Sequence, residues 1–99
     1  MAFKKYNQAI VLNNQDAKVF RDRGATLFNI KKYEKAILDF TKAINLNKRF
    51  ADAYYCRAVS YGHLNKYDKA LKDMETALEI QPNIMEYEGY MAWLCGRKV

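Results

Sequence analysis

The side chains that could support nucleophilic or metal chemistry are two cysteines and a single histidine. Cys56 and His63 are seven residues apart, about two helical turns, so a thiol activated by an imidazole base is conceivable. Neither cysteine has the close partner that a zinc site needs, because Cys95 lies far along the chain. The chain also lacks a glycine-rich phosphate loop and a Ser-His-acid set. We therefore expect no enzyme, no metal and no cofactor, and we interpret the cysteines as small apolar residues in a reducing, cytoplasmic compartment.

The net charge of +6 could attract nucleic acid, anionic lipid or an acidic peptide. The basic residues are dispersed, however, and acidic neighbours interrupt them, as at Glu34/Lys35 and Asp68/Lys69. Interspersed charge of this kind mainly serves solubility. No stretch approaches the roughly 20 apolar residues that cross a bilayer. We therefore expect neither nucleic acid nor a membrane as the partner.

The chain repeats itself with a period of 34 residues. The identical pairs at this spacing include Ala17/Ala51, Arg23/Arg57, Lys32/Lys66, Tyr33/Tyr67, Lys35/Lys69, Ala36/Ala70, Asp39/Asp73 and Ala43/Ala77. Each unit contains two patterns with helical spacing, at 17–30 and 33–46 and again at 51–64 and 67–80. Asp16 is a plausible N-cap for the first helix, and Pro82 cannot continue the last one. Lys48 stands where Pro82 stands one repeat later, which predicts a smoother helical connection there.

Small residues at facing positions would let the two helices of a unit approach closely. Gly24 and Ala58 lie midway along the first helices, and large side chains such as Phe40 and Met74 fill the adjoining space. These positions resemble those of the tetratricopeptide repeat family, at its 34-residue spacing. The residues that carry the resemblance are Phe20/Tyr54, Gly24/Ala58, Leu27/Tyr61, Ala36/Ala70, Phe40/Met74, Ala43/Ala77 and Pro82. One departure is Arg23 and Arg57, where the family often has leucine.

The resemblance implies an all-α fold, an α-solenoid of antiparallel helix pairs with about six helices in one domain, 1–99. We expect a half repeat with only its second helix at 2–16, repeat 1 at 17–50, repeat 2 at 51–84 and a half repeat with only its first helix at 85–96. The last helix is apolar over much of its circumference, although array ends normally have a polar outer face. The chain could be a piece of a longer array, the end helices could act as plain caps, or they could pair between copies.

In this family the first helices line a concave groove that binds a partner peptide. Carried over by position, the resemblance implies that partner-binding residues are Lys18, Arg21, Phe28, Asn29, Asp52, Tyr55, Val59, His63, Glu86 and Trp93. The family's clamp for acidic C-termini of chaperones is expected to be absent, since only Arg21 fits it. Ala25, Cys56, Glu86 and Tyr90 stand at its other positions. The same alignment puts Cys56 towards the buried side of its helix and His63 on the groove side, which argues against a catalytic pair.

The leading hypothesis is a protein–protein interaction scaffold that binds a protein or peptide through the concave groove. The alternative is a self-associating structural module that pairs through its apolar terminal helices into a homo-oligomer. The residues expected to mediate that pairing are Tyr6, Ile10, Tyr90, Met91 and Leu94. Arg21 could also form a local salt bridge with Asp52 instead of contacting a ligand.

Overall fold

The computed structural model describes residues 16–98, which form a row of packed helices without a strand. The five helices in this range are α1 Ala17–Asn29, α2 Tyr33–Leu46, α3 Ala51–His63, α4 Tyr67–Ile80 and α5 Met85–Lys98. Each helix packs chiefly on its neighbours in the chain, and short turns make successive helices antiparallel. The predicted all-α solenoid is confirmed. Of the predicted six or so helices, the one in the half repeat at 2–16 falls outside the described residues.

The first described helix begins at the residue that its sequence predicts. The side chain of Asp16 accepts a hydrogen bond from the backbone N–H of Lys18 at 2.9 Å, which satisfies one of the unpaired donors of the first turn. Asp16 itself has extended backbone angles, as an N-cap requires. The start of α1 is therefore encoded locally.

The turns inside the two repeats share one geometry. Lys31 and Asn65, which are one period apart, both have positive φ angles, 65° and 61°. In each turn the N–H of the following residue donates to the carbonyl five positions earlier, at 2.9 Å. This hydrogen bond closes the helix end in the manner of a Schellman motif, for which a residue in the left-handed region is needed. Asparagine tolerates that region far better than lysine does.

The expectation of a smoother connection at Lys48 is wrong. Residues 47–50 and 81–84 are both non-helical, although only the second connection contains a proline. Asn47 and Gln81 have φ angles of −145° and −131°, so both leave the helical region at the same point. The hydroxyl of Tyr54 donates to the carbonyl of Lys48 at 3.1 Å and holds the first connection in place. The side chain of Asn47 also accepts a hydrogen bond from the backbone N–H of Arg49 at 3.1 Å, so a local turn follows α2 without help from proline.

Small and large side chains alternate across the core as predicted. Phe40 and Met74 are completely buried, and so is Ala58. Gly24 lies directly against Phe40, and a Cβ at position 24 would come within 2.6 Å of the ring. The two repeats thus use different pairs at the same place, glycine with phenylalanine and alanine with methionine.

One ion pair with a buried aspartate joins the two helices of each repeat. Arg23 binds Asp39 through two hydrogen bonds of 2.8 and 2.7 Å, and Arg57 binds Asp73 through two of 2.7 Å. The aspartates are only 5% and 4% exposed. The hydrogen bonds that the arginines donate to these carboxylates raise the pKa of both arginines above the usual value. Each arginine at positions 23 and 57 thus has a buried carboxylate partner on the second helix of its repeat.

Candidate functional site

The first helices of the repeats leave a small apolar pocket between them. Helix α1 touches α3 only lightly, because α1 packs mainly on α2, whereas α3 packs on α4 and on the other side of α2. The resulting cavity of about 180 Å³, here called the α1–α3 pocket, is lined by Ala25, Phe28, Asn29, Phe40, Tyr55, Cys56 and Val59. Four of these residues, Phe28, Asn29, Tyr55 and Val59, are among the predicted partner-binding set. The pocket is mostly apolar, so it suits an apolar group better than a charged one.

A wider and more polar hollow lies at the start of α1. This α1 hollow has a volume of about 770 Å³ and is lined by Asp16, Ala17, Lys18, Arg21, Leu46, Asn47, Phe50 and Asp52. It contains three more of the predicted residues, namely Lys18, Arg21 and Asp52. Arg21 lies one helical turn before Ala25, so the hollow and the α1–α3 pocket are neighbours along α1.

Arg21 is engaged by two carboxylates of its own chain. Its Nε donates to Oδ2 of Asp52 at 2.5 Å, and its Nη1 donates to Oδ1 of Asp22 at 2.9 Å. Burial would lower the pKa of Arg21, but Asp22 and Asp52 outweigh that effect and raise it above the usual value. The pairing of Arg21 with Asp52, one of the two roles considered for it, is therefore present. One positive charge between two negative ones leaves this group with a net charge of −1.

Cys56 lies in the wall of the α1–α3 pocket as a protonated thiol. Its Sγ is 3.9 Å from Oδ2 of Asp52, and burial, reinforced by this carboxylate, raises the pKa of Cys56 to about 12. A nucleophilic cysteine needs the opposite shift, towards the thiolate. His63 packs against Tyr33, with ring centroids 4.6 Å apart and nearly parallel planes, and against Phe28 at 5.3 Å. The geometry therefore gives Cys56 an apolar lining role and gives His63 an aromatic one.

A ladder of stacked rings connects the pocket to α5. Tyr55 stacks on Tyr87 with ring centroids 4.8 Å apart, and Tyr90 stacks on Trp93 at 5.5 Å. Tyr55 and Tyr90 meet edge to face at 6.1 Å, which joins the two pairs. We call these four residues the aromatic ladder. Trp93 remains 44% exposed and is covered on one side by Arg97, whose guanidinium carbon is 4.9 Å from the ring centre.

Tyr87 belongs to this site although the sequence analysis did not select it. It is 5% exposed, and it lies 34 residues after the completely buried Ala53. The repeat period therefore carried the signal that position 87 faces inward. Burial, followed by the negative charges of Asp52 and others, raises the pKa of Tyr87. Burial and then Glu86 raise the pKa of Tyr55 in the same way.

The residues expected to mediate self-association differ in how far they are buried within the chain. Leu94 is completely buried against the α4–α5 packing, so it has no surface for a second copy. Tyr90 is half-buried, and its hydroxyl donates to the carbonyl of Ala58 at 3.4 Å. Met91 is half-buried against the same cluster. Tyr6 and Ile10 lie outside the described residues, and the self-association hypothesis stays a prediction.

Residues 16–98 contain neither a metal-binding group of side chains nor a membrane-spanning helix. Within that range, no three or more His, Cys, Asp and Glu side chains are grouped so as to hold a metal ion. None of the helices in the same range has both the length and the apolar character needed to cross a membrane.

The row of antiparallel helix pairs defines a helical-repeat protein of the α-solenoid class. A model of the tetratricopeptide repeat matches residues 51–84, and a second model described as a TPR repeat matches residues 26–65. The two matches together span residues 26–84, more than half of the chain. The chain belongs to the tetratricopeptide repeat family, as its periodic residues predict. No curated protein matches it in sequence.

Solved structures of the same family superpose on nearly the whole chain. The first TPR domain of Spaghetti (RPAP3), bound to the HSP90 peptide SRMEEVD, is 25% identical with a TM-score of 0.93, over 96% of this chain and 75% of that one. The Arabidopsis OM64 TPR domain is 26% identical with a TM-score of 0.93, over 96% and 78%. MamA is 26% identical with a TM-score of 0.92, over 97% of this chain and 56% of its own. Domains of this family are in general protein-interaction modules without catalytic activity.

Proposed function

We propose that the chain is a protein-interaction module that binds a peptide segment along the concave face formed by α1, α3 and α5. The observation that carries this proposal is the α1–α3 pocket, an apolar cavity whose residue Tyr55 begins the aromatic ladder that leads to the partly exposed Trp93. Aromatic side chains beside a pocket provide rigid contact area of the kind that dominates binding hot spots. The partner-binding residues of the proposal are the ten predicted from sequence.

Relatives support a peptide as the partner. The Spaghetti domain binds an HSP90 peptide, and the second TPR domain of human RPAP3 is in complex with an HSP70 peptide, SGPTIEEVD, at 26% identity to this chain. A cytoplasmic setting is part of the proposal, because the free cysteines Cys56 and Cys95 are compatible with a reducing compartment. The self-associating alternative has less support, since Leu94 and Tyr90 face into the chain.

The test fills the pocket and leaves the fold intact. Ala25 lines the α1–α3 pocket and is half-buried, so Ala25→Phe should place a ring in the cavity. Leu38→Phe is the matched control, because Leu38 is 70% exposed on α2, away from the first helices. A display library of random peptides is selected on the unmodified protein, and the bound peptides are then measured against both variants by fluorescence anisotropy.

The proposal predicts that Ala25→Phe weakens the selected peptides at least about tenfold, while Leu38→Phe leaves their affinity unchanged. Far-UV circular dichroism must show the same helix content for all three proteins. Peptides that bind Ala25→Phe as tightly as the unmodified chain would place the interaction elsewhere on the surface. A library that yields no binding peptide at all would contradict the proposed function.

A further inference from the structure

The chemistry of the concave face restricts which peptide it can accept. The α1–α3 pocket, at about 180 Å³, is smaller than the roughly 300–1,000 Å³ of small-molecule sites. Its size is therefore suited to a single side chain. Its lining is mainly apolar, and the Cys56 thiol within it stays protonated at neutral pH, because burial raises its pKa to about 12. An apolar side chain would gain free energy by leaving water here, whereas a charged one would lose its hydration without a partner.

The groups next to the pocket are predominantly acidic. Among the described residues, the α1 hollow, the ion-pair partners of Arg21 and the first turn of α5 carry five carboxylates against two cations, namely Asp16, Asp22, Asp52, Glu86 and Glu88 against Lys18 and Arg21. Glu86 is exposed, and no hydrogen bond or ion pair with another described residue compensates it. Glu86 lies close to the pocket, because it directly precedes Tyr87, whose ring stacks on the pocket residue Tyr55 at 4.8 Å. In agreement with this position, its charge contributes to raising the pKa of Tyr55.

The one arginine among these groups cannot serve as an anchor for a partner carboxylate without losing its present partners. Arg21 already donates to both Asp22 and Asp52. A carboxylate that approached Arg21 would also approach those two negative charges within a few ångströms. Like charges at that separation disfavour a ligand and so discriminate against it. A cationic side chain at the same place would instead meet a group of net charge −1, made of Arg21, Asp22 and Asp52.

We infer that the concave face binds a peptide in which an apolar anchor side chain is followed or preceded by a basic one. The anchor enters the α1–α3 pocket, and the basic group lies near Asp52 and Glu86. This inference rests on the proposed function and narrows it. It also separates this chain from its structural relatives, whose bound peptides SRMEEVD and SGPTIEEVD end in acidic segments.

The experiment varies only the charge beside the anchor. A peptide selected from the display library is synthesised in three versions, with Lys, Ala or Glu next to its apolar anchor, and SRMEEVD is included as an acidic probe. Binding of each peptide to the unmodified chain is measured by fluorescence anisotropy at low and high salt. The lysine version is expected to bind about fivefold more tightly than the alanine version at low salt, the size of one well-placed exposed ion pair. This preference should shrink at high salt because mobile ions screen it.

Substitutions in the protein identify the source of the preference. Glu86→Gln should lower the lysine-over-alanine ratio, because it weakens the lysine version more than the alanine version, and Asp52 accounts for the preference that remains. Glu75→Gln, the same change of charge at an exposed position on α4, should leave the ratio as it is. Replacing the apolar anchor with serine should weaken all three versions at least about tenfold.

The outcomes separate the inference from the proposed function. If the glutamate version or SRMEEVD binds as tightly as the lysine version, and Ala25→Phe abolishes that binding, the groove binds peptides but the inferred charge preference is wrong. If Glu86→Gln leaves the lysine-over-alanine ratio unchanged, the inferred role of Glu86 in the charge preference is wrong. If Ala25→Phe affects none of the peptides, the proposed function itself fails.

Discussion

The close contact between Gly24 and Phe40 gives the most quantitative test of the packing. A Cβ at position 24 would lie 2.6 Å from Cε1 and 2.8 Å from Cδ1 of Phe40, whereas carbon atoms pack at about 3.5–4.0 Å. Phe40 is completely buried, so its ring cannot swing into solvent. Gly24→Ala therefore forces a shift of about 1 Å inside the core. Overpacking of this kind costs about 1–3 kcal/mol.

Helix propensity acts in the opposite direction and must be separated from the packing. Replacing glycine by alanine inside a helix stabilises it by about 1 kcal/mol, so the net cost of Gly24→Ala should be near 1 kcal/mol. Gly89 provides the matched control, because nothing lies within 4 Å of a Cβ built there. Gly89→Ala should stabilise the chain by about 0.5–1 kcal/mol. Urea unfolding followed by circular dichroism measures both, and their difference isolates the contact with Phe40.

The second repeat supplies a rescue. The second repeat has Ala58 and Met74 at the positions that Gly24 and Phe40 occupy in the first repeat. Ala58 and Met74 are both completely buried. The double change Gly24→Ala with Phe40→Met should therefore be more stable than the sum of the two single changes predicts, by about 1 kcal/mol. Equal effects of Gly24→Ala and Gly89→Ala, or strict additivity in the double variant, would refute the packing argument.

Three further predictions concern stability and reactivity. Asp73→Ala should lower the free energy of unfolding by about 3 kcal/mol, because Arg57 would keep a largely buried charge without its carboxylate. Replacing both Arg57 and Asp73 by leucine should restore the stability to within about 1 kcal/mol of the unmodified chain in the same urea assay. Lys31→Asn should raise the free energy of unfolding by about 0.5–1 kcal/mol, since asparagine tolerates the positive φ angle of 65° better, and an unchanged midpoint would contradict this. Iodoacetamide at pH 8 should label exposed Cys95 at least about tenfold faster than Cys56 by mass spectrometry, because burial raises the pKa of Cys56 from 9.0 to about 12. The raised pKa of Cys56 also makes the stability of the fold depend on pH. Its contribution is fully present below pH 9 and is lost as the pH rises towards 12, so labelling of Cys56 should accelerate between these two values.

The sequence by itself determined the class of fold and the start of its first described helix. In a chain with a 34-residue period, small residues recur at the same position of every repeat. Few arrangements of the helices are then possible, because each helix can bury its apolar side only against the neighbouring helices. Asp16 acts on a donor two residues away, so its capping role needs no tertiary information. The facing positions of Gly24 and Phe40 follow from the same period.

The partners of the charged and reactive side chains were decided by the tertiary structure. Arg21 and Asp52 are 31 residues apart, and their hydrogen bond depends on how α1 and α3 are rotated and spaced. From the sequence, pairing with Asp52 was only one of two possible roles for Arg21. The bidentate hydrogen bonds between Arg57 and Asp73, which are 16 residues apart, were not predicted from the sequence. Leu94 faces inward for the same reason, since the rotation of α5 on α4 is set by packing. A helical period fixes the phase of a residue along its own helix, but the distance and rotation between helices decide which charges meet.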